Sequence, residues 1–429
     1  MKQIPRGIWV LLTANFVIAL GYGLIAPALP SFARSFDVGI TAATAVVSAF
    51  AVMRLLFAPA TGRLVTAFGE RRIYLTGLLI VAASTLACAF AQDYWQLLVF
   101  RAAGGIGSTM FTVSAMALLI RMSPTTIRGQ VSGYFSAGFL VGNITGPLIG
   151  SALVGFGLRM PFVVYAIALL VASAVVATQL RDVGGRPEPG VTPGHGVMAL
   201  STALRLNTYR AILASNFTQG WSSMGIRVAL VPLFVTDVLN ESPAMSGVVL
   251  AVFAAGNVAA IIIAGRLSDR VGRRRIMLPG LAITAIGTAA LGFAPNLGVA
   301  LALSLVAGAG SGLFAPTHQA ALADVLGNRQ QGGSALAAFG MASDLGAVSG
   351  PVVAGFVAAQ FGFGPSFVLT GAVAAVAFVL WLLADETAPE VIGHAPAKLT
   401  GVEPPVAEPP DRDDGSGPDT EDIPGRRQV

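Results

Sequence analysis

Charge, cysteine and histidine are all scarce in this chain. Charged residues make up 11% of its 429 positions, against roughly 25% in ordinary soluble domains, while apolar residues make up 55%. A soluble fold of this length cannot hide that much apolar surface, so lipid is the expected solvent. Cys88 is the single cysteine, which excludes an intrachain disulfide and a cysteine metal site. The three histidines, His195, His318 and His394, lie far apart, so a metal cluster or a nucleophile with its base is not expected, and neither is enzymatic chemistry. There is no G-x4-G-K-[ST] run to cradle nucleotide phosphates, which argues against direct ATP drive. No cofactor is expected. Basic stripes with interleaved aromatics are also missing, so the pI of about 9.8 does not point to nucleic acid.

The scarce charge is unevenly placed. From Asp385 onward there are 11 acidic and 4 basic residues; the part before it holds 22 basic and 10 acidic. The basic excess therefore belongs to a membrane body with short loops. Residues 385–429 are rich in Pro, Asp and Glu and are expected to form a disordered acidic tail. The opening stretch, MKQIPRGIWVLLTANFVIAL, has the positive lead of a signal peptide but no small-x-small cleavage site, and reads as a retained first span.

Apolar runs of roughly 20 residues predict about twelve helices, at 8–28, 41–62, 73–92, 95–120, 129–154, 161–180, 209–235, 244–266, 275–293, 297–321, 331–358 and 365–384. Gly62–Arg72 reads GRLVTAFGERR, and 203 residues later Gly265–Arg275 reads GRLSDRVGRRR. At the same offset Phe50 meets Phe253, Arg54 meets Asn257, Gly105 meets Gly308, and Phe111 meets Phe314. These matches predict an all-α membrane protein of two pseudo-symmetric six-helix halves. The expected organisation is a first half at 1–180, a Gly/Pro-rich linker at 181–207, a second half at 208–384 and the tail. With the N-terminus cytoplasmic, the loops on that side hold 17 Lys/Arg before the tail, and the opposite loops hold only Arg34 and Arg159. Basic residues stay inside, so both termini are placed in the cytoplasm.

The loop strings resemble the signature of the major facilitator superfamily, G-x-x-x-D-R/K-x-G-R-R/K. Gly265, Asp269, Arg270, Gly272, Arg273 and Arg274 match it fully. The first copy keeps Gly62, Gly69 and Arg71 but carries Thr66 and Ala67 where the acid and the next base belong. Gly133, Gly142, Gly146, Pro147 and Gly150 resemble that family's antiporter motif, with Ser151 in place of its last glycine, and Gly346, Gly350 and Pro351 echo it in the second half. Gly23–Pro30 (GLIAPALP) looks like the first-helix pattern of drug/proton antiporters, and Arg101, Gly105 and Gly107 resemble a fourth-helix motif whose arginine is associated with proton transfer. The resemblance implies the major facilitator fold and a proton-coupled exporter of small organic molecules or drugs. Such a protein would sit as a multi-pass monomer in a bacterial cell membrane, powered by the proton gradient. A proton-coupled importer of an organic anion is the nearest alternative, and a membrane sensor without flux is a third.

Ionisable groups at bilayer depth are costly and therefore candidates for function. Arg54, Arg101, Arg227 and Asp344 fall well inside the predicted spans. Asp344 is the one mid-helix carboxylate. Apolar surroundings favour its neutral form and a nearby arginine its charged form, so it reads either as a proton site, with Arg101 tuning it, or as half of a fixed ion pair. Three arginines against one acid leave the cavity positive and favour anionic or electron-rich substrates. Arg54 is the strongest candidate for an anion contact, because its repeat mate is Asn257. Asn15, Tyr22, Gln219, Trp221, Arg227, Phe253 and Asn257 are the other candidate substrate contacts at the midplane.

Overall fold

The computed structural model describes residues 6–122, 128–180, 200–326 and 334–388, and these carry helices and no strand. The first half contains α1 (Arg6–Ile25), a short α2 (Leu29–Arg34), α3 (Ile40–Phe68), α4 (Glu70–Ala89), α5 (Tyr94–Met122), α6 (Arg128–Val154) and α7 (Met160–Gln179). A single turn, α8 (Leu200–Ala203), closes the part expected as linker, whose residues 181–199 lie outside the described ones. The second half contains α9 (Asn207–Gly220), a π-helical stretch (Trp221–Leu230), α10 (Val231–Asp237), α11 (Pro243–Val271), α12 (Arg273–Leu291), α13 (Leu297–Leu326), α14 (Ser334–Phe361) and α15 (Phe363–Leu382).

Ten of these helices, among the described residues, are long and apolar enough to cross a membrane. Two predicted spans are missing from that set for physical reasons. The span expected at 209–235 is cut into α9, the π stretch and α10, each too short alone. The span expected at 275–293 is α12, whose first turn is Arg273-Arg274-Arg275. Both still pack as members of the bundle. The chain is a multi-pass membrane protein. Large apolar side chains stay bare on its outer faces, with Ile262 67%, Ile286 71% and Val376 60% exposed, which water would not tolerate on this scale.

Packing repeats between the halves. In the first, α1 lies on α6 and α7, α3 on α5, and α4 on α5 and α7; in the second, the π stretch and α9 lie on α14, α9 on α15, α11 on α13, and α12 on α13 and α15. The halves join through α3 with α14 and through α6 with α11. Since α3 is the mate of α11 and α6 the mate of α14, this crossed pairing is that of a two-fold axis.

Helix ends follow backbone chemistry rather than the apolar runs. α3 and α11 run several residues past their predicted ends and stop at Gly69 (φ 85°) and Gly272 (φ 113°), conformations that suit a residue without Cβ. At the other end of the bundle Asp37 (φ 57°) and Asn240 (φ 55°), also 203 apart, turn the chain into α3 and α11. Asp and Asn are the side chains that best tolerate that region.

Candidate functional site

Close helix approach comes first. A Cβ on Gly105 of α5 would run into the Phe50 carbonyl of α3, and one on Gly308 of α13 into the Phe253 carbonyl of α11. These contacts bring the backbone of each phenylalanine against the facing helix. Arg101 stacks on Phe50, its guanidinium carbon 4.1 Å from the ring centroid. Arg227 stacks on Phe253 at 5.0 Å. Each half therefore holds an arginine over the same repeated phenylalanine, but one arginine comes from α5 and the other from the π stretch. A π-type interruption at such a point re-aims side chains and is frequent at functional sites.

The first half encloses a cavity of about 300 Å³. Asn15 and Tyr22 of α1, Phe50 and Arg54 of α3, Tyr74 of α4, Arg101 and Phe111 of α5, Phe135 and Phe139 of α6 and Tyr165 of α7 line it. Four residues singled out in the sequence thus meet there: Asn15, Tyr22, Arg54 and Arg101. Arg101 is 6% exposed, and the Nε atoms of Arg54 and Arg101 have no hydrogen-bond partner. Tyr22 also borders a narrow cleft shared with Arg227, and Arg227 and Phe253 line a small pocket in the second half. Asp344 of α14 is half-buried and forms no ion pair among the described residues.

Other candidates are engaged in packing. The Asn15 amide donates to the Phe135 carbonyl at 3.0 Å, as Asn216 does to Phe339 at 2.6 Å, so this bond between the first and fifth helices of each half is duplicated. Gln219 donates to Ser223 and accepts from Ser311. Trp221 is buried and donates from Nε1 to Thr370 Oγ1 at 3.1 Å. Asn257 sits half-buried on α11, outside these cavities. The aromatic wall (Tyr74, Phe135, Phe139, Tyr165) escaped the sequence reading, which ranked polar groups. The apolar spacing of these rings looks the same whether they face a cavity, a neighbour or lipid.

The antiporter glycines form a contact stripe. A Cβ on Gly142 would lie 2.7 Å from Leu20 N, and one on Gly146 would lie 2.6 Å from the Leu20 carbonyl and 2.7 Å from Gly23 Cα. Gly150 presses on the Leu24 backbone, and Pro147 on Gly23. The echo in the second half does the same, with Gly346 and Gly350 against Phe217–Gly225. The surroundings of Gly133 lie outside the described residues.

The loop motif splits into two roles. Gly69 and Gly272 are turns, whereas a Cβ on Gly62 or Gly265 would meet nothing within 4 Å. The arginines close on their own half. Arg71 donates to the Ala177 carbonyl at 2.8 Å near the end of α7, and Arg274 to the Leu382 carbonyl at 2.6 Å at the end of α15, both good places for a cation. Arg273 pairs with Asp269 and, through Nε, with Asp324 at 3.0 Å. Burial disfavours its charge, but the hydrogen bonds and fields of Asp269 and Asp324 outweigh that and hold it more firmly protonated than a free arginine. Arg270 is exposed. Asp385–Ala388, expected as the start of a disordered tail, instead fold onto this corner. Glu386 accepts from the backbone N–H groups of Arg273 (2.7 Å) and Arg274 (3.1 Å), an N-terminal cap for α12. Residues 389–429 lie outside the described ones.

Among the described residues, the inter-half hydrogen bonds and ion pair sit at the end opposite these loops. Thr41 donates to Gly355 O at 3.4 Å, Ser48 to Val348 O at 2.8 Å and Ser151 to Ala244 O, while Arg34 approaches Asp237 at 3.8 Å. Two pseudo-symmetric halves, with polar contacts between them at one end and an arginine-lined cavity within the first half, define a secondary-transporter architecture.

Comparison with known proteins agrees. The Major Facilitator Superfamily profile matches residues 11–215 and again 212–410, and the chain belongs to that family. The tetracycline resistance protein, class G, of Vibrio anguillarum is 29% identical over 73% of this chain and 81% of its own. Multidrug resistance protein 2 of Bacillus subtilis (strain 168) is 31% identical over a shorter stretch, 41% of this chain and 44% of that one. In fold the chain resembles the crystal structure of a bacterial homologue of the human lysosomal transporter Spinster, in an inward-facing and unoccupied conformation. The TM-score is 0.74 at 16% identity, over 88% of this chain and 96% of that one.

Proposed function

We propose that the protein is a proton-coupled exporter of small organic molecules, working as a monomer in a bacterial cell membrane with its loop motifs and both termini in the cytoplasm. One observation carries the reading. Asp344, on the second half, is a half-buried carboxylate inside α14 that forms no ion pair with Arg54 or any other described residue. A carboxyl so placed can gain or lose its proton as the halves move and its distance to the arginine changes. The contacts at the far end then form the closed outer gate, and the cavity faces the cytoplasm. Drug-resistance relatives and the glycine stripe of α6 support export over import. Arg101 acts by position, with Arg54, on whatever enters. No cofactor is required; the proton gradient supplies the drive.

Everted vesicles with an acidified lumen, supplied with tetracycline and a panel of lipophilic drugs, provide the test. Uptake into the lumen that collapses with the pH gradient and is lost in Asp344→Asn is the expected result. Uptake that is insensitive to the gradient, or intact gradient-driven uptake in Asp344→Asn, removes the proton role of Asp344. Accumulation driven in the opposite sense identifies the importer of an organic anion instead.

A further inference from the structure

We propose that the cavity of the first half binds organic anions, molecules with one carboxylate, sulfonate or phosphate on an apolar body. This deepens the transport reading and rests on it for the role of the cavity, though not for the binding itself. Arg101 is 6% exposed, with no hydrogen bond and no ion pair among the described residues. Phe50 covers one face of its guanidinium at 4.1 Å, which leaves the N–H edge for a ligand. A planar fork of N–H donors matches an oxyanion group bidentately. Arg54, on the same cavity, also has an unpartnered Nε.

The walls carry no acid. Lining the cavity are hydroxyl, amide, aromatic and aliphatic side chains with the two arginines, so nothing in the lining neutralises them. Asp344 of α14, across the interface, forms no ion pair with either arginine. A purely cationic drug would meet one buried and one half-buried positive charge there, whereas an anion would satisfy donors that burial has stripped of water. Phe111, Phe135 and Phe139 supply the apolar surface for the rest of the molecule. At about 300 Å³ the space is at the lower end of small-molecule pockets and suits a body of one or two fused rings.

Full-length protein in phosphatidylcholine nanodiscs is titrated calorimetrically with 2-naphthalenesulfonate and with 2-naphthylmethylammonium, which share one ring system and differ in charge. Sulfonate is expected to bind at least about tenfold more tightly, the scale of charge-assisted hydrogen bonds against repulsion. Arg101→Met and Arg54→Met should each weaken sulfonate at least about tenfold, with Arg101→Lys recovering part of the loss, because a point charge replaces a fork. Equal affinity for the two probes, tighter binding of the ammonium, or sulfonate binding unchanged in both Met variants overturns the proposal. The wild-type comparison stands without any variant folding. Sulfonate binding without flux of any solute would sink the transport reading and leave this one intact. Proton-driven flux of cationic drugs with no sulfonate preference would do the reverse.

Discussion

Single glycines carry opposite meanings in this chain, and the difference is spatial. Gly146 lies where a Cβ would meet backbone of α1 at 2.6–2.7 Å, so a side chain there must push two helices apart. Gly62 has open space, although the loop signature includes it. Gly146→Val should destabilise the protein by about 1–3 kcal/mol, the usual cost of overpacking, seen as a lower unfolding midpoint in detergent. Gly62→Ala should leave that midpoint unchanged within about 0.5 kcal/mol. Equal losses at both sites would mean that the hairpin end is packed more tightly than described. The candidate site was half legible at this scale. Arg54, Arg101 and Tyr22 stood out because a polar or charged group in an apolar run is rare. Their rings did not, and neither did the use of Gln219 and Trp221 in hydrogen bonds inside the second half, since sequence shows that a group is polar but not what satisfies it.

Between elements, the repeat conserves geometry while changing chemistry. Glu70 of α4 pairs with Arg121 of α5 at 2.8 Å. The positions 203 further on, Arg273 of α12 and Asp324 of α13, pair at 3.0 Å with the signs exchanged. Either polarity evidently closes this corner, provided that the two ends are opposite. Glu70→Arg or Arg121→Glu alone should cost about 2 kcal/mol, the order of a hydrogen bond to a charged group, and the double exchange should restore most of it. Additive losses in a double-mutant cycle, read from thermal unfolding, would show that the two halves differ at this joint. The offset of 203 was readable in the sequence, so this pair was within reach of it. The cap from Glu386 was not, because it comes from beyond the last helix and has no repeat mate.

At the scale of the whole molecule, the halves touch at one end and the loop motifs mark the other. Ser151 of α6 meets the Ala244 carbonyl of α11, and the lone native cysteine, Cys88, is buried. In a Cys88→Ser background, Ser151→Cys with Ala244→Cys, joined by oxidation or a short bifunctional maleimide, should hold this end shut. Flux is expected to fall by about tenfold or more and to return on reduction of the disulfide, because alternating access needs this end to part. Full flux through the linked protein would show that these contacts need not open. Binding of 2-naphthalenesulfonate should survive the link, since neither linked residue lines the cavity.

The sequence by itself determined the solvent, the number of halves and the family. Low charge, apolar runs of membrane length and a duplicated loop are one-dimensional quantities, and they follow from the cost of placing polar groups in lipid. Tertiary structure decided which groups meet. Ser48 meets the Val348 carbonyl across 300 residues of sequence, and Arg227 reaches Phe253 from a π-helical stretch that no propensity marks. Which end is closed was also beyond the sequence, because a transporter's two states share every residue and differ only in which contacts between the halves are made.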